Sequence, residues 1–168
     1  SYAFFTGCQI PIRQSHVEYV TRKIMPELGV ELRDVKGFTC CPVPVAFGLQ
    51  DRITSTTIAA RNIALAEEQG IDLMTICNGC YFTLNHAVEE LRDKEIRDEV
   101  NIALSETGHE YRGTAKVRHF AQILRDDIGL ASIRSQVKNP LTGINVAAHT
   151  GCHFSNRMGE DAATLDRL

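Results

Sequence analysis

Cysteines carry most of the chemistry that this sequence could perform, and five of the six are grouped by their spacing. Two are adjacent and lie next to a proline, two form a Cys-x-x-Cys motif, and one precedes both groups: Cys8, Cys40, Cys41, Cys77 and Cys80, with Cys152 further along the chain. Cysteines fill cores as small apolar groups, pair as disulfides, or bind zinc or iron. They are therefore the candidate functional residues.

Four interpretations of this set remain open on the residues alone. Core packing suits Cys152 but not an adjacent pair plus a Cys-x-x-Cys. Disulfides belong mainly to oxidising compartments. A zinc site commonly uses two Cys-x-x-Cys-like motifs, and only one is present. An iron–sulfur cube takes four cysteines, so if all five bind, either one sulfur bridges two irons or the cluster departs from a cube. Gly7 and Gly79 would allow backbone N–H groups close to the sulfur of such a cluster.

Apolar periodicity places most of the cysteines directly after predicted strands. The predicted strands are Tyr2–Phe5, Val30–Val35, Ile71–Ile76 and Ile144–Ala148, and the predicted helices are Val17–Leu28, Ser55–Gln69, Phe82–Arg92, Glu95–Glu106 and most of Val117–Ile128. This alternation predicts an α/β fold with a parallel, Rossmann-like sheet and helices on both faces. Functional groups of such folds collect at the carboxyl ends of the strands, so we expect the thiols to share one edge of the sheet.

A short motif that occurs twice predicts how the chain is divided into repeats. Phe5-Thr6-Gly7-Cys8 recurs in outline as His149-Thr150-Gly151-Cys152, in each case after an apolar segment. We therefore expect one cysteine-rich repeat over residues 1–142 and the start of a second, truncated repeat over residues 143–168. An incomplete repeat would expose apolar surface and favour self-association.

Composition excludes several classes of function. The chain has 18 Lys and Arg against 21 Asp and Glu, a net charge of −3, which argues against a nucleic-acid partner. Its apolar runs are too short to span a membrane, and its first seven residues do not resemble a secretory signal. We expect a cytoplasmic protein.

The cysteine pattern resembles that of the cysteine-rich CCG domain. The longer stretches Tyr2–Cys8, Thr39–Pro42, Ala59–Asn62 and Cys77–Cys80 are similar to the family of heterodisulfide reductase B subunits. The resemblance implies a non-cubane [4Fe–4S] cluster whose ligands would be Cys8, Cys40, Cys41, Cys77 and Cys80. It makes Cys152 the first ligand of a second cluster, which would form only if further ligands are supplied.

The resemblance also implies a function. The chain would be part of an oxidoreductase subunit that reduces a small-molecule disulfide of the coenzyme M–coenzyme B type in single-electron steps. Its partners would be the flavin-containing A subunit, together with the iron–sulfur C subunit, of a heterodisulfide reductase-like complex. His149 and His153, which flank Cys152, are candidate proton donors. The alternatives are an electron-relay or scaffold subunit of another CCG-domain redox complex, or a fragment that holds structural zinc in place of the cluster.

Overall fold

Four short strands pair side by side in parallel. The computed structural model describes residues 1–42, 51–147 and 149. The strands are β1 (Tyr2–Phe5), β2 (Leu32–Arg33), β3 (Asp72–Thr75) and β4 (Val117–His119), in the order β2-β1-β3-β4. β1 and β3 are paired along their whole length, from Tyr2 against Asp72 to Phe5 against Thr75.

Helices cover both faces of this sheet. They are α1 (Gln9–Arg13), α2 (Ser15–Glu27), α3 (Arg52–Glu68), α4 (Asn78–Glu90), α5 (Lys94–Ser105), α6 (Phe120–Ile123) and α7 (Leu130–Gln136), with a π-helical segment, Leu124–Ile128, after α6. Phe5 and Leu73 share a core with α3, α4 and α5, whereas Phe4 and Met74 pack with α2 and α6. Successive strand residues point to opposite faces, which explains this division. The α/β parallel-sheet prediction is confirmed.

The helices begin and end where local chemistry sets their limits. Asp51 caps α3 by accepting a hydrogen bond from the Thr54 N–H at 3.2 Å, so the helix starts three residues earlier than predicted. Its end agrees with the prediction, because Gly70 has a φ of +66° and the Ile71 N–H returns to the Ala66 carbonyl. No helix in the described parts of the chain is both long and apolar enough to cross a bilayer.

The helical prediction for Val117–Ile128 is wrong at its start. Residues 117–119 form β4, which pairs with β3 with Val117 opposite Leu73 and His119 opposite Thr75. Three residues are too few to show strand periodicity, and the pairing with β3 decides their conformation. The remainder is α6 and the π-helical segment, as expected for a mostly helical stretch.

The strand predicted at Ile144–Ala148 is also not found. Residues 144–147 have no regular structure, Ile144 is 60% exposed and Val146 is 74% exposed, and Ala148 lies outside the described residues. A strand needs a neighbour for its backbone N–H and C=O groups, and none of the four described strands pairs with this segment. The division at residues 142–143 therefore stays a prediction.

The strand order defines where a ligand site is expected. From β1 the chain moves outward to β2 and then crosses to the other side of β1 to form β3. This reversal is a topological switch point, and ligands of open α/β sheets bind outside the carboxyl ends of the strands on either side of it. Cys8 follows Phe5, the last residue of β1, and Cys77 follows Thr75, the last residue of β3.

Candidate metal centre

Three thiols from two separate segments meet at the switch point. Cys80 is joined by side-chain hydrogen bonds to both Cys41 and Cys77. Cys41 is 2% exposed and Cys80 is 3% exposed, while Cys77 is half-buried. The predicted convergence at the carboxyl edge therefore holds for these three residues, although Cys41 lies 36 positions before Cys77 in the sequence.

The Cys-x-x-Cys motif forms the start of a helix rather than a loop before it. Cys77 is the N-terminal cap of α4 and Cys80 lies in its first turn, whereas the sequence predicted that the helix begins at Phe82. The Cys77 N–H donates to the Thr75 hydroxyl at 3.2 Å, which ties the cap to the end of β3. Both cysteines therefore lie at the N-terminal end of α4, with their backbone fixed by the strand end and the first helical turn.

Glycine is required where the β1–α1 turn passes the site. Gly7 has a φ of +67°, and a Cβ built there would lie 2.7 Å from the Cys80 sulfur. The backbone next to Cys8 therefore lies directly against Cys80, and Cys8 itself is half-buried. At Gly79 a Cβ would lie 3.8 Å from the Cys77 sulfur, an ordinary contact, so close approach to sulfur requires glycine only at Gly7.

Cys40 differs from its neighbour in exposure. Its side chain is exposed, while Cys41 is buried, and the turn that holds both has no helix or strand of its own. The turn is attached to α3 through Asn62, whose side chain bonds to the Cys40 carbonyl at 3.2 Å. In the sequence, Asn62 was noted only as the last residue of Ala59–Asn62, one of the stretches that carry the family resemblance. An asparagine close to Ala60, Ile63 and Ala64 in a predicted helix was the signal of its role.

Contacts between the thiols shift the pKa values of two of them in opposite directions. The hydrogen bond from Cys80 lowers the pKa of Cys41 despite its burial. Hydrogen bonds to Cys41 and Cys77, together with burial, raise the pKa of Cys80. Cys80 therefore keeps its proton and donates it, and Cys41 is the readier of the two to become a thiolate.

The donor set suits iron–sulfur ligation. It consists of sulfur alone, the turn at Gly7 leaves no room for a Cβ, and no disulfide joins the five cysteines in the described ranges. Over those same ranges, no three Cys, His, Asp or Glu groups are arranged around a point that would hold a single metal ion. Thiolates of a four-iron cluster bind different irons and need not share such a point.

The remaining predicted site residues are Cys152, His149 and His153. Cys152 and His153 lie outside the described residues, and His149 is exposed. His119 was not among the residues predicted from the sequence. It is 7% exposed at the end of β4, and its ring contacts Tyr81 edge-on at 5.6 Å. Its Nδ1 accepts the Ala121 N–H, and burial lowers its pKa to about 4, so it is neutral and caps α6.

Comparison with known proteins places these residues in a family. Residues 2–85 match the cysteine-rich domain CCG. The chain is 45% identical over 154 residues to a protein of Archaeoglobus profundus described as similar to the heterodisulfide reductase B subunit, covering 91% of this chain and 52% of that protein. It is 40% identical over 153 residues to the B subunit of the ferredoxin/F(420)H(2)-dependent CoB-CoM heterodisulfide reductase of Methanosarcina acetivorans, covering 90% and 51%. The chain spans about half the length of these relatives.

A solved structure supports the fold independently. The crystal structure of a hypothetical protein from Helicobacter pylori matches with a TM-score of 0.66 at 19% identity, covering 74% of this chain and 25% of that one. The CCG match, residues 2–85, spans half of the 168 residues and includes the five grouped cysteines. The chain therefore belongs to the cysteine-rich CCG domain family.

Proposed function

We propose that this chain is the cluster-binding part of an iron–sulfur oxidoreductase subunit of the heterodisulfide reductase B type. One non-cubane [4Fe–4S] cluster would be held by Cys8, Cys40, Cys41, Cys77 and Cys80. The observation that carries the proposal is the contact of Cys80 with both Cys41 and Cys77 at the switch point of the sheet. The relatives named as B subunits support the redox class.

The chain's own residues would perform three tasks at this site. Gly7 keeps backbone, rather than a side chain, against the Cys80 sulfur. The start of α4 fixes the backbone of Cys77 and Cys80. Cys80 must give up the proton that it donates to its neighbours, because thiolates and not thiols bind metal. When bound, the cluster supplies electrons one at a time.

The reaction we propose is the reduction of a disulfide to two thiols. Breaking the S–S bond consumes two electrons and two protons, so that each sulfur leaves as a thiol. The electrons would come from a reduced carrier through the flavin-containing A subunit, together with the iron–sulfur C subunit, and the substrate would be of the coenzyme M–coenzyme B type. Cys152 would begin a second cluster site, with His149 and His153 beside it as proton donors.

The test begins with anaerobic purification and assays of iron, sulfide and electron paramagnetic resonance. We expect about four irons per chain in the first site. Single substitutions of each proposed ligand by serine, for example Cys41→Ser, should lower the iron content and change the resonance. Cys152→Ser is the matched control, because it removes a thiol outside the proposed first site. Unchanged iron and an unchanged spectrum in Cys41→Ser would refute the ligand assignment.

Two other outcomes distinguish the alternative functions. About one zinc per chain, without iron, would establish the structural zinc interpretation instead. A chain that binds iron and accepts electrons, but whose full-length complex leaves an added coenzyme M–coenzyme B disulfide intact, would be a relay or scaffold subunit. Formation of two thiols per two electrons consumed would support the reductase.

A further inference from the structure

The Cys40–Cys41 turn is held by one fully buried amide side chain. Asn62 lies in the middle of α3 and is 0% exposed. Its Oδ1 accepts hydrogen bonds from the Thr39 N–H at 2.8 Å and from the Thr39 hydroxyl at 3.4 Å. Its Nδ2 donates to the Cys40 carbonyl at 3.2 Å and to the Ile58 carbonyl at 3.1 Å. One planar group therefore binds backbone on both sides of the Thr39–Cys40 peptide.

The cysteines differ in what fixes their backbone. Cys77 and Cys80 belong to the first turn of α4, and Cys8 lies between β1 and α1. Cys40 and Cys41 lie in neither a helix nor a strand, so no ladder of backbone hydrogen bonds sets their orientation. A side chain must supply what secondary structure supplies elsewhere, because an irregular segment otherwise samples many conformations.

The hydrogen bonds that Asn62 makes to the turn compensate for the unfavourable burial of an amide inside a helix. Asparagine is unfavourable inside a helix, and a buried amide without partners is costly. Three of the four Asn62 contacts go to the turn and only one returns to its own helix, at Ile58. The adjacent Arg61 donates to the Gly37 carbonyl at 2.8 Å, but this bond is exposed and lies farther from the cysteines.

We infer that Asn62 is a positioning residue that presets the Cys40–Cys41 pair for metal-cluster assembly. This inference rests on the proposed function in one respect, namely that the pair are cluster ligands. The amide fixes the peptide that precedes Cys41, so the buried Cys41 sulfur is held beside Cys80 before any metal binds. Loss of the amide should release the turn while α4 and its two cysteines stay in place.

The test compares Asn62→Ala with a matched control, Asn101→Ala. Asn101 of α5 also bonds both sides of a loop backbone, accepting from the Tyr111 N–H at 2.8 Å and donating to the Tyr111 carbonyl at 3.0 Å. Both substitutions thus remove a side-chain amide that fixes a loop, and only one loop carries cysteines. Asn62→Asp, which keeps the size and the acceptor, serves if the alanine variant does not fold.

The first readout uses the reduced, metal-free chain. Cys41 is alkylated only when the turn opens, so its rate reports the opening equilibrium. Loss of the bonds to Thr39 and Cys40 should raise the rate of Cys41 alkylation by iodoacetamide about tenfold in Asn62→Ala. The rate should stay within about twofold of the unsubstituted chain in Asn101→Ala.

The second readout is anaerobic reconstitution with iron and sulfide. We expect Asn62→Ala to retain less than about half of the iron and to show a changed resonance spectrum, and Asn101→Ala to retain both iron and spectrum. Equal alkylation rates in the two variants, or full iron with an unchanged spectrum in Asn62→Ala, would overturn the inference. If the unsubstituted chain takes up no iron, the proposed function fails, and the alkylation rates still decide whether Asn62 presets the pair.

Discussion

Gly7→Ala is the substitution that most directly tests the geometry of the metal centre. The new methyl group would enter at a φ of +67° and would lie 2.7 Å from the Cys80 sulfur and 3.9 Å from the Phe5 ring. The left-handed conformation costs an alanine about 1–2 kcal/mol. Cys80 is 3% exposed in the first turn of α4 and cannot move aside, so overpacking adds about 1–3 kcal/mol.

A matched glycine separates these two effects. Gly70 has nearly the same φ, +66°, but a Cβ there would meet nothing within 4 Å. Gly70→Ala should therefore cost only the backbone strain of about 1–2 kcal/mol. The difference between the two variants in free energy of unfolding isolates the contact with Cys80, and we expect it to be about 1–3 kcal/mol.

Denaturant unfolding of the reduced, metal-free chain measures this difference. The iron content after anaerobic reconstitution measures its effect on the site, since a displaced Cys80 sulfur would no longer be in place for a metal. We expect Gly7→Ala to lose most of its iron and Gly70→Ala to keep it. If the two variants lose equal stability and bind equal iron, the close approach of the β1–α1 turn to Cys80 is wrong.

Two further predictions concern the frame around the site. Burial lowers the pKa of His119 to about 4 from 6.5, so the unfolded chain takes up this proton more readily than the folded chain. The free energy of unfolding should consequently fall by up to about 3 kcal/mol as the pH drops from 6.5 to 4. Unfolding measured as a function of pH should show a smaller fall for His119→Gln. An equal fall in the two proteins would contradict a buried, neutral His119. The Glu67 carboxylate accepts backbone N–H bonds from residues 112, 114 and 115. Glu67→Gln should cost about 1–2 kcal/mol and speed hydrogen exchange at those amides, whereas the exposed Glu99→Gln should do neither.

The sequence was sufficient to predict the sheet because its central strands are local and apolar. β1 and β3 lie in apolar runs and end two or three residues before a cysteine, and the parallel arrangement follows from the helices between them. β4 could not be found in the same way, since its three residues form a strand only because β3 lies beside them. The same limit applies at Ile144, where an apolar alternation has no strand partner in the part of the chain that the structure describes.

The sequence was sufficient to predict that Cys41, Cys77 and Cys80 come together, but not how they are arranged. Spacing identified the five cysteines, and the strand ends indicated that they would share one edge of the sheet. The sequence pattern could not show that Cys77 caps a helix, that Gly7 lies against the Cys80 sulfur, or that Asn62 anchors the Cys40 turn. The last two depend on contacts between segments 20 or more residues apart, which a local pattern does not record.

Thiols that are held together before metal binds would repel one another electrostatically if all of them were ionised. Three thiolates in contact would repel one another in a buried site, where charge is poorly solvated. Here Cys80 stays protonated between Cys41 and Cys77, so the metal-free group carries less charge than its sulfur count allows. Metal uptake then needs the proton of Cys80 to leave, while Gly7 and α4 already fix that sulfur. For these three sulfurs, folding supplies the close approach, and metal binding then exchanges the proton of Cys80 for iron.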